Sequence, residues 1–145
     1  MDMSLRMFAT ANIRIRMIKQ VPKFEMVQLS EHFWSSEFRC RCRNPGCSLI
    51  YYDTDLLAYL EAKRIDFGGK PIIISSGYRC PQYNAFKNGK IGSYHLIGKA
   101  ADIYIPGENM IKLASHFEDA DGLGRYPKRN FLHVDVRGYK ARWVY

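Results

Sequence analysis

The stretch Ser93–Ile103, SYHLIGKAADI, places a histidine and an aspartate seven positions apart with glycine and alanine between them. The small residues allow two interpretations. In one, the stretch is a tight turn that enters a buried strand. In the other, His95 and Asp102 bind one metal ion and the small residues let the backbone close around it. A solvated carboxylate would be unusual between Ala101 and Ile103 unless that face of the strand is polar, which favours the metal interpretation.

A second stretch, FLHVDVRG at residues 131–138, places His133 and Asp135 two positions apart. Successive side chains of a strand point to opposite faces, so both residues lie on one face and the apolar residues around them on the other. A strand that turns a histidine and an aspartate away from its apolar face either builds a polar site or is half exposed to solvent.

His95, Asp102 and His133 together form a set of two imidazoles and one carboxylate. This set suits a catalytic Zn²⁺ ion, which takes three protein ligands and leaves a fourth position for water. The metal lowers the pKa of that water and polarises a substrate carbonyl group, while a nearby carboxylate accepts the proton and passes it to the leaving amine. Asp135 is the predicted general base because it shares a face with His133.

Two residues beside these motifs are candidates for supporting roles. Arg79 ends the segment SSGYR, where its guanidinium group could pair with a carboxylate of the substrate. Ser93 is either a turn residue or a group that hydrogen-bonds near the metal and holds His95 in place.

Four cysteines stand outside this set, and three of them lie in the segment CRCRNPGC. Their order, Cys40-x-Cys42-x4-Cys47 with Cys80 far downstream, differs from the common zinc-finger pattern of pairs separated by two to four residues. The Asn-Pro-Gly turn within the segment predicts a loop. Three interpretations stay open: reduced thiols, one or two disulfides, or a structural metal ion bound by all four thiolates.

The pattern of apolar and turn-forming residues predicts three helices and four strands without a regular strand–helix–strand repeat. The helices are expected at residues 53–69, 81–89 and 108–119, and the strands at 72–75, 99–106, 121–126 and 131–138. The short segment PKRN joins the last two strands and predicts a hairpin. This mixture predicts an α+β fold with an antiparallel sheet.

Size and charge narrow the class of protein. A chain of 145 residues, 47% hydrophobic and 25% charged, suits one globular domain, and no apolar run is long enough to span a bilayer. The net charge of +8 favours polyanions such as nucleic acid, anionic lipid or an anionic cell wall. We expect no nucleic-acid partner, because the sequence has neither a recognition-helix signature nor finger spacing. We expect a monomer.

The N-terminal region differs from the rest. Residues 1–28 show no clean period and are predicted to be an extension of uncertain order, with residues 29–145 forming the domain. Arginines and a lysine interrupt the first 20 residues, so no secretory signal is visible. We therefore expect the protein in the cytoplasm, or outside it by a route that this sequence does not encode.

Three segments in this order, SGYRCPQYN, SYHLIGKAADI and FLHVDVRG, resemble the M15 zinc peptidases. The similar subgroup contains D-alanyl-D-alanine carboxypeptidases and peptidoglycan endopeptidases, including many phage endolysins. The family pattern Ser-x-His-x-x-Gly-x-Ala-x-Asp, followed by His-x-Asp, is present in full. The opening LSEHFWSSEFRCRC also resembles the start of this subgroup, so the resemblance runs from about Leu29 to Arg137.

The resemblance implies a hedgehog/D,D-peptidase fold, in which helices pack on one side of an antiparallel sheet that carries the zinc site. It implies that His95, Asp102 and His133 bind Zn²⁺ and that Arg79 binds the substrate or polarises its carbonyl group. The resemblance to phage endolysins also implies that the protein stays in the cytoplasm until it is released to the cell wall. Several relatives carry a glutamate or histidine just upstream of the last ligand. The segment YPKRNFL has neither, so either Asp135 is the base or the site is impaired.

The predicted function is a zinc-dependent peptidase that hydrolyses amide bonds in peptidoglycan stem or cross-bridge peptides, with zinc-bound water as the nucleophile. A carboxypeptidase and an endopeptidase would share the same metal centre. The alternative is a non-catalytic module that binds the cell wall or belongs to a virion and keeps zinc for stability.

Overall fold

The computed structural model describes residues 18–145, which contain two sheets and several short helices. The strands are β1 (Ile18–Pro22), β2 (Leu49–Asp53), β3 (Ile73–Ser76), β4 (Ala100–Tyr104), β5 (Gly122–Tyr126), β6 (Phe131–Asp135) and β7 (Ala141–Val144). The helices are α1 (Ser35–Phe38), α2 (Thr54–Asp66), α3 (Pro81–Phe86) and α4 (Met110–Leu113), with 3₁₀ turns at Tyr94–Ile97 and Ala114–Phe117. β1 and β2 form one sheet, and the other five strands form a sheet in the order β3-β4-β6-β5-β7.

The predicted α+β fold with antiparallel pairing is confirmed, with one parallel pair that the sequence did not predict. The pairs β3–β4, β4–β6 and β5–β6 are antiparallel, and the last of these is the predicted hairpin. β7 runs parallel to β5 at the end of the sheet. Its four residues, ARWV, are too few to show an alternating pattern.

Strand β1 lies within the region that we expected to be an N-terminal extension of uncertain order. All five of its residues pair antiparallel with β2. Residues 18–22 therefore pack on the domain, and its folded part begins before the predicted boundary at residue 29. The rest of the expected extension, residues 1–17, lies outside the described residues.

Helix α2 begins at a side-chain cap and connects the two sheets. Asp53 Oδ1 accepts a hydrogen bond from the Asp55 N–H at 2.8 Å, which satisfies one of the free N–H groups at the helix start. Asp53 Oδ2 binds Lys99 Nζ at 2.7 Å and so ties the helix to the residue before β4. The predicted helix over residues 53–69 is confirmed and ends at Asp66.

The other long predicted helix is mostly replaced by tighter turns. Residues 108–119 form only the short α4, which continues directly into a 3₁₀ turn. Asn109 caps α4, with its Oδ1 atom accepting the N–H groups of Ile111 and Lys112. No helix in the described part of the chain is long and apolar enough to cross a membrane.

The two faces of the five-stranded sheet differ in chemistry. The apolar face joins the leucines of α2 and several aromatic rings in one core, to which the central strands contribute Ala101, Ile103, Leu123, Leu132 and Val134. The alternate residues of the same strands include Asp102 of β4 and His133 and Asp135 of β6, and they point to the opposite face. The helical core thus leaves one face of the sheet for a polar site.

Strand β3 forms one edge of this sheet and contains an irregularity. Its register with β4 shifts between Ile74 and Ser76, which marks a bulge. At this point the Arg41 side chain donates hydrogen bonds to Ser75 O at 3.2 Å and Ile74 O at 3.3 Å. A side chain from the cysteine-containing loop therefore covers main-chain carbonyl groups of the edge strand.

Candidate active site

A short 3₁₀ turn positions His95 before the chain enters β4. The Ser93 hydroxyl accepts a hydrogen bond from the His95 N–H at 3.3 Å, which caps the turn. Gly98 ends the turn with a positive φ of 76°, and a Cβ atom there would lie 2.3 Å from Tyr51 O. Glycine is therefore required for both the backbone conformation and the close approach to β2.

Strand pairing brings the second and third residues of the predicted set together. Asp102 of β4 lies directly opposite His133 of β6, and Ala100 lies opposite Asp135. Directly opposite residues share a face of the sheet, so Asp102 and His133 project to the same side. The structure thus gathers His95, Asp102 and His133 in one buried cluster, as the sequence predicted.

The spacing of the three side chains fits one metal ion. The Asp102 Oδ1 atom lies 3.2 Å from His95 Nε2 and 3.3 Å from His133 Nδ1. In a tetrahedral zinc site with ligand bonds of about 2.0–2.1 Å, neighbouring donor atoms are about 3.3–3.4 Å apart. Two of the three donor separations therefore match those around a shared Zn²⁺ ion, and ligand atoms of all three residues lie within 4.8 Å of one another.

The remaining polar atoms of these three side chains are each held by another group. His95 Nδ1 lies 2.7 Å from Gly77 O, which can only accept, so His95 carries its proton on Nδ1. His133 Nε2 lies 2.7 Å from Asp135 Oδ2, and Asp102 Oδ2 accepts from Arg79 Nη2 at 2.9 Å. Such outer contacts orient the ligands of protein metal sites.

The hydrogen bond from His95 Nδ1 to Gly77 O leaves lone pairs of His95 Nε2 and of the Asp102 carboxylate facing one another. With its proton on Nδ1, a neutral His95 directs the Nε2 lone pair at the Asp102 carboxylate. Two acceptors at 3.2 Å repel each other unless a cation lies between them. The donor set therefore fits a metal ion better than it fits a network of hydrogen bonds.

Burial and the neighbouring charges shift the pKa values in the cluster. Burial disfavours the charged form of His95 and lowers its pKa. Burial alone would raise the pKa of Asp102, but the two imidazoles beside it outweigh this and hold that pKa well below the usual range. Asp102 is thus a carboxylate at neutral pH, the form that binds a metal ion.

Asp135, the predicted general base, lies behind His133. Its Oδ2 atom contacts His133 Nε2 and accepts from Arg137 Nη2 at 2.7 Å. Its Oδ1 atom accepts from the Arg137 N–H at 3.1 Å and from Arg137 Nε at 2.9 Å. The carboxylate is buried and both of its oxygens are engaged on the side of His133 away from Asp102.

Two glycines of β5 make room for this arrangement, and sequence reasoning missed them. Gly122 lies opposite Asp135 and Gly124 opposite His133. A Cβ atom at Gly122 would lie 2.0 Å from Asp135 Oδ2, and one at Gly124 would lie 2.4 Å from Nε1 of Trp143. The GLG pattern within a strand was the signal for such close approaches.

Aromatic side chains lie beside the cluster, and sequence reasoning missed Trp143 among them. The Trp143 ring lies 4.9 Å from the His133 ring, between centroids. The Arg137 guanidinium carbon lies 4.5 Å from the centroid of Tyr94 and 5.2 Å from that of Trp143. These rings pack against His133 and against the guanidinium group that pairs with Asp135.

Arg79 and the cysteines complete the set of predicted residues. Besides Asp102, Arg79 contacts Ser76 through Nε, which donates to Oγ at 2.9 Å. Its expected contact with a substrate stays a prediction. The four cysteines have free thiols and lie together in a second cluster that shares no residue with the first.

A polar set of two histidines and one aspartate on the open face of an antiparallel sheet defines a candidate metallohydrolase site. The comparison with protein families gives the particular class: the family model of Peptidase M15 matches residues 31–135, and the chain belongs to this family. The matched range contains His95, Asp102, His133 and Asp135.

Curated relatives give a closer similarity. The chain is 39% identical over 80 residues to the probable peptidoglycan L,D-endopeptidase MepK of Haemophilus influenzae, covering 48% of this chain and 43% of that protein. It is 38% identical over 81 residues to the peptidoglycan L,D-endopeptidase MepK of Escherichia coli K12, covering 51% and 44%. The chain thus matches less than half the length of these relatives. No solved structure matches it.

Proposed function

We propose that this chain is a zinc-dependent endopeptidase that cleaves L,D amide bonds in peptidoglycan peptides. The observation that carries the proposal is the spacing of 3.2 and 3.3 Å between Asp102 Oδ1 and the facing nitrogens of His95 and His133. Membership of the Peptidase M15 family supports the peptidase activity. The names of the MepK relatives support the substrate class.

The proposed ligands are His95 Nε2, Asp102 Oδ1 and His133 Nδ1. With Zn²⁺ bound, these ligands would give the site a water of lowered pKa and a Lewis acid for the carbonyl group of the scissile amide. Gly77 O and Arg79 hold His95 and Asp102 in the orientation that presents these atoms. The chain's own contribution is a preformed, largely dry set of donors, which limits the reorganisation needed at the moment of reaction.

We assign Asp135 a positioning role in place of the general base predicted from sequence. Its carboxylate accepts a hydrogen bond from the His133 Nε2–H group, which leaves the Nδ1 lone pair directed at Asp102. Both carboxylate oxygens are already engaged by His133 and Arg137. A base needs a free lone pair within reach of the substrate proton, and Asp135 has none in this arrangement.

The cations at the site favour an endopeptidase over a carboxypeptidase. A carboxypeptidase needs a cationic group for the terminal carboxylate of its substrate. In the described structure the two guanidinium groups at the cluster are each paired with a carboxylate of the protein: Arg79 with Asp102 and Arg137 with Asp135. Both side chains are also largely buried, with 14% and 15% of their surface exposed.

The test uses the purified chain, loaded with zinc, and defined muropeptides. One substrate contains an L,D cross-link, and a second ends in D-alanyl-D-alanine. We expect mass spectrometry to show cleavage of the L,D bond, its loss in a chelator and its return when zinc is restored. Release of D-alanine alone would contradict the endopeptidase assignment. Binding to purified sacculi without release of any peptide would instead support the non-catalytic wall-binding module.

A histidine substitution links the activity to the site. His133→Ala should abolish hydrolysis and reduce the zinc content of the purified protein, because it removes one of three ligands. His116→Ala is the matched control, since His116 is an exposed residue outside the cluster. Cleavage by the His133 variant at the rate of the parent chain would refute the proposed site.

A further inference from the structure

We propose that the four cysteines bind a structural zinc ion, separate from the site formed by His95, Asp102 and His133. The Sγ atoms of Cys40, Cys42, Cys47 and Cys80 all lie within 4.8 Å of one another. Tetrahedral zinc with four Zn–S bonds of about 2.3 Å separates neighbouring sulfurs by about 3.8 Å. The four sulfurs therefore surround a point that one ion can occupy.

The cluster is closed to solvent, as structural zinc sites are. Cys40, Cys47 and Cys80 are buried, with 1%, 8% and 5% of their surface exposed, and Cys42 is partly buried. Four protein ligands leave no coordination position for water or substrate, which distinguishes a structural from a catalytic site. Thiolates are soft ligands, and tetrahedral sulfur coordination favours zinc over magnesium or calcium.

A buried lysine provides an independent indication that this cluster is anionic. Lys23 is 3% exposed, and its Nζ atom lies 3.3 Å from both Cys42 Sγ and Cys42 O. No carboxylate within residues 18–145 forms an ion pair with Lys23. A buried ammonium group needs a nearby negative charge. Four thiolates around Zn²⁺ carry a net charge of −2 and supply it.

Main-chain N–H groups also point at the sulfurs. The Cys80 N–H donates to Cys40 Sγ at 3.3 Å, and the Tyr83 N–H donates to Cys80 Sγ at 3.5 Å. Hydrogen bonds of this kind stabilise negative charge on ligating sulfur. Disulfides would join the sulfurs in pairs about 2.0 Å apart and would leave Lys23 without a counter-charge.

The place of Cys80 explains what the ion would hold together. Cys80 caps helix α3 and follows Arg79, whose guanidinium group binds Asp102. The other three cysteines lie in the loop between α1 and β2. One ion would therefore cross-link that loop to the start of α3 and fix the backbone that carries Arg79. Its role is to stabilise the fold beside the catalytic cluster.

Metal stoichiometry tests this proposal separately from the proposed activity. We expect the parent chain, purified under reducing conditions, to contain two zinc ions by elemental analysis. Cys47→Ser and His133→Ala should each retain one, and the double variant none. Ser48→Ala, at the adjacent position, is the control and should retain two. One ion in the parent chain, kept in the Cys47 variant and lost in the His133 variant, would overturn the cysteine site alone.

Two measurements keep the test valid if the cysteine variant does not fold. Denatured parent protein that has never met a reductant should give four free thiols, whereas two or none would indicate disulfides and overturn the proposal. After exchange of zinc for cobalt, His133→Ala should keep the strong thiolate-to-cobalt charge-transfer absorption. Absence of that absorption in a folded His133 variant would also overturn it.

Discussion

At the scale of single residues, the site depends on which nitrogen of each imidazole is free. Gly77 O fixes the proton of His95 on Nδ1, and Asp135 fixes that of His133 on Nε2. The two histidines therefore present different nitrogens, Nε2 and Nδ1, to the same oxygen of Asp102. The outer partners determine the geometry as much as the ligands themselves.

Asp135→Asn tests the positioning role. The oxygen of an amide can accept the hydrogen bond from His133 Nε2–H. The NH₂ group of the amide then faces the N–H donors of Arg137, and two donors cannot pair. We expect zinc affinity to fall by about 10–100-fold, as is usual for lost outer-shell partners, with hydrolysis largely restored at saturating zinc. A competition titration with a chromophoric chelator measures the affinity.

The control for this substitution is Asp55→Asn, at an exposed position in the first turn of α2. It should leave zinc affinity unchanged. If the Asp135 variant bound zinc normally but hydrolysed nothing at saturating metal, Asp135 would be acting as the general base that the sequence suggested.

The candidate metal ligands could be predicted from sequence, but their hydrogen-bond partners could not. His95, Asp102 and His133 stand out because few other roles suit a histidine and an aspartate among small or apolar residues. Gly77 contributes only its carbonyl oxygen, which every residue has, so no sequence pattern marks it. Strand alternation placed Asp135 on the face of His133, but alternation does not say that the two side chains contact each other.

At the scale of elements, β5 shows how a strand can serve its neighbours by lacking side chains. Gly122 and Gly124 point to the same face as Asp135 and His133 of the adjacent strand. Their missing side chains leave room for a carboxylate on one side and an indole ring on the other. Glycine weakens a strand, so its use twice in five residues indicates a strong packing demand.

Gly124→Ala should displace Trp143 from its position beside His133. The new Cβ atom would lie 2.4–2.8 Å from three indole atoms, so the ring has to move. We expect a loss of about 1–3 kcal/mol in the free energy of unfolding, as for other overpacked sites. Urea unfolding followed by tryptophan fluorescence measures both the stability and the change around the ring.

Gly46→Ala is the matched control, because a Cβ atom there meets its nearest neighbour, Asn44 Oδ1, at 3.4 Å. Its unfolding midpoint should stay close to that of the parent chain. Equal midpoints for the Gly124 variant and the parent would show that Trp143 does not pack tightly on β5.

Length and tertiary contacts explain which elements sequence reasoning found. The 13-residue α2 has an N-terminal cap and a buried set of leucines, so it was predicted closely. β1, β2 and β7 have four or five residues each, like the strands that were predicted, and they were missed because their pairing with distant segments leaves no mark on the local sequence. The predicted helix over residues 108–119 was too long because the chain tightens into a 3₁₀ turn after Leu113.

At the scale of the whole molecule, a buried cation far from the site links α2 to the segment before β5. Lys63 Nζ donates to His116 O at 2.6 Å and forms an ion pair with Asp119 Oδ2 at 3.0 Å. The Tyr59 hydroxyl donates to Asp119 Oδ1 at 2.9 Å. These contacts make the stability of the fold depend on the charge of Asp119.

The pH dependence of stability should reveal this contact. Burial alone would raise the pKa of Asp119, but the hydrogen bonds from Lys63 and Tyr59 outweigh it and hold the pKa below its usual value. A lowered carboxyl pKa stabilises the fold above the unfolded value of about 3.9 and loses that effect as the pH falls through the folded value.

Asp119→Asn should therefore lower the melting temperature at neutral pH. The loss in the free energy of unfolding should be about 1 kcal/mol or less, because the carboxylate is largely exposed. The difference from the parent chain should narrow below about pH 4. Asp66→Asn, which removes a carboxylate 3.8 Å from Lys63, is the control and should have little effect at either pH. A constant difference across the range would show that charge at Asp119 is not the cause.

The edge strand β3 of the five-stranded sheet, where Arg41 covers main-chain carbonyl groups, bears on how copies of this protein behave at high concentration. An open outer strand is a template on which another molecule can add its own strand, and repetition of that step builds ribbons and precipitates. Arg41 occupies the carbonyl groups of Ile74 and Ser75 at this edge and places a positive charge there. An approaching copy carries the same charge at the same place, so mutual repulsion and the loss of these two acceptors both oppose stacking.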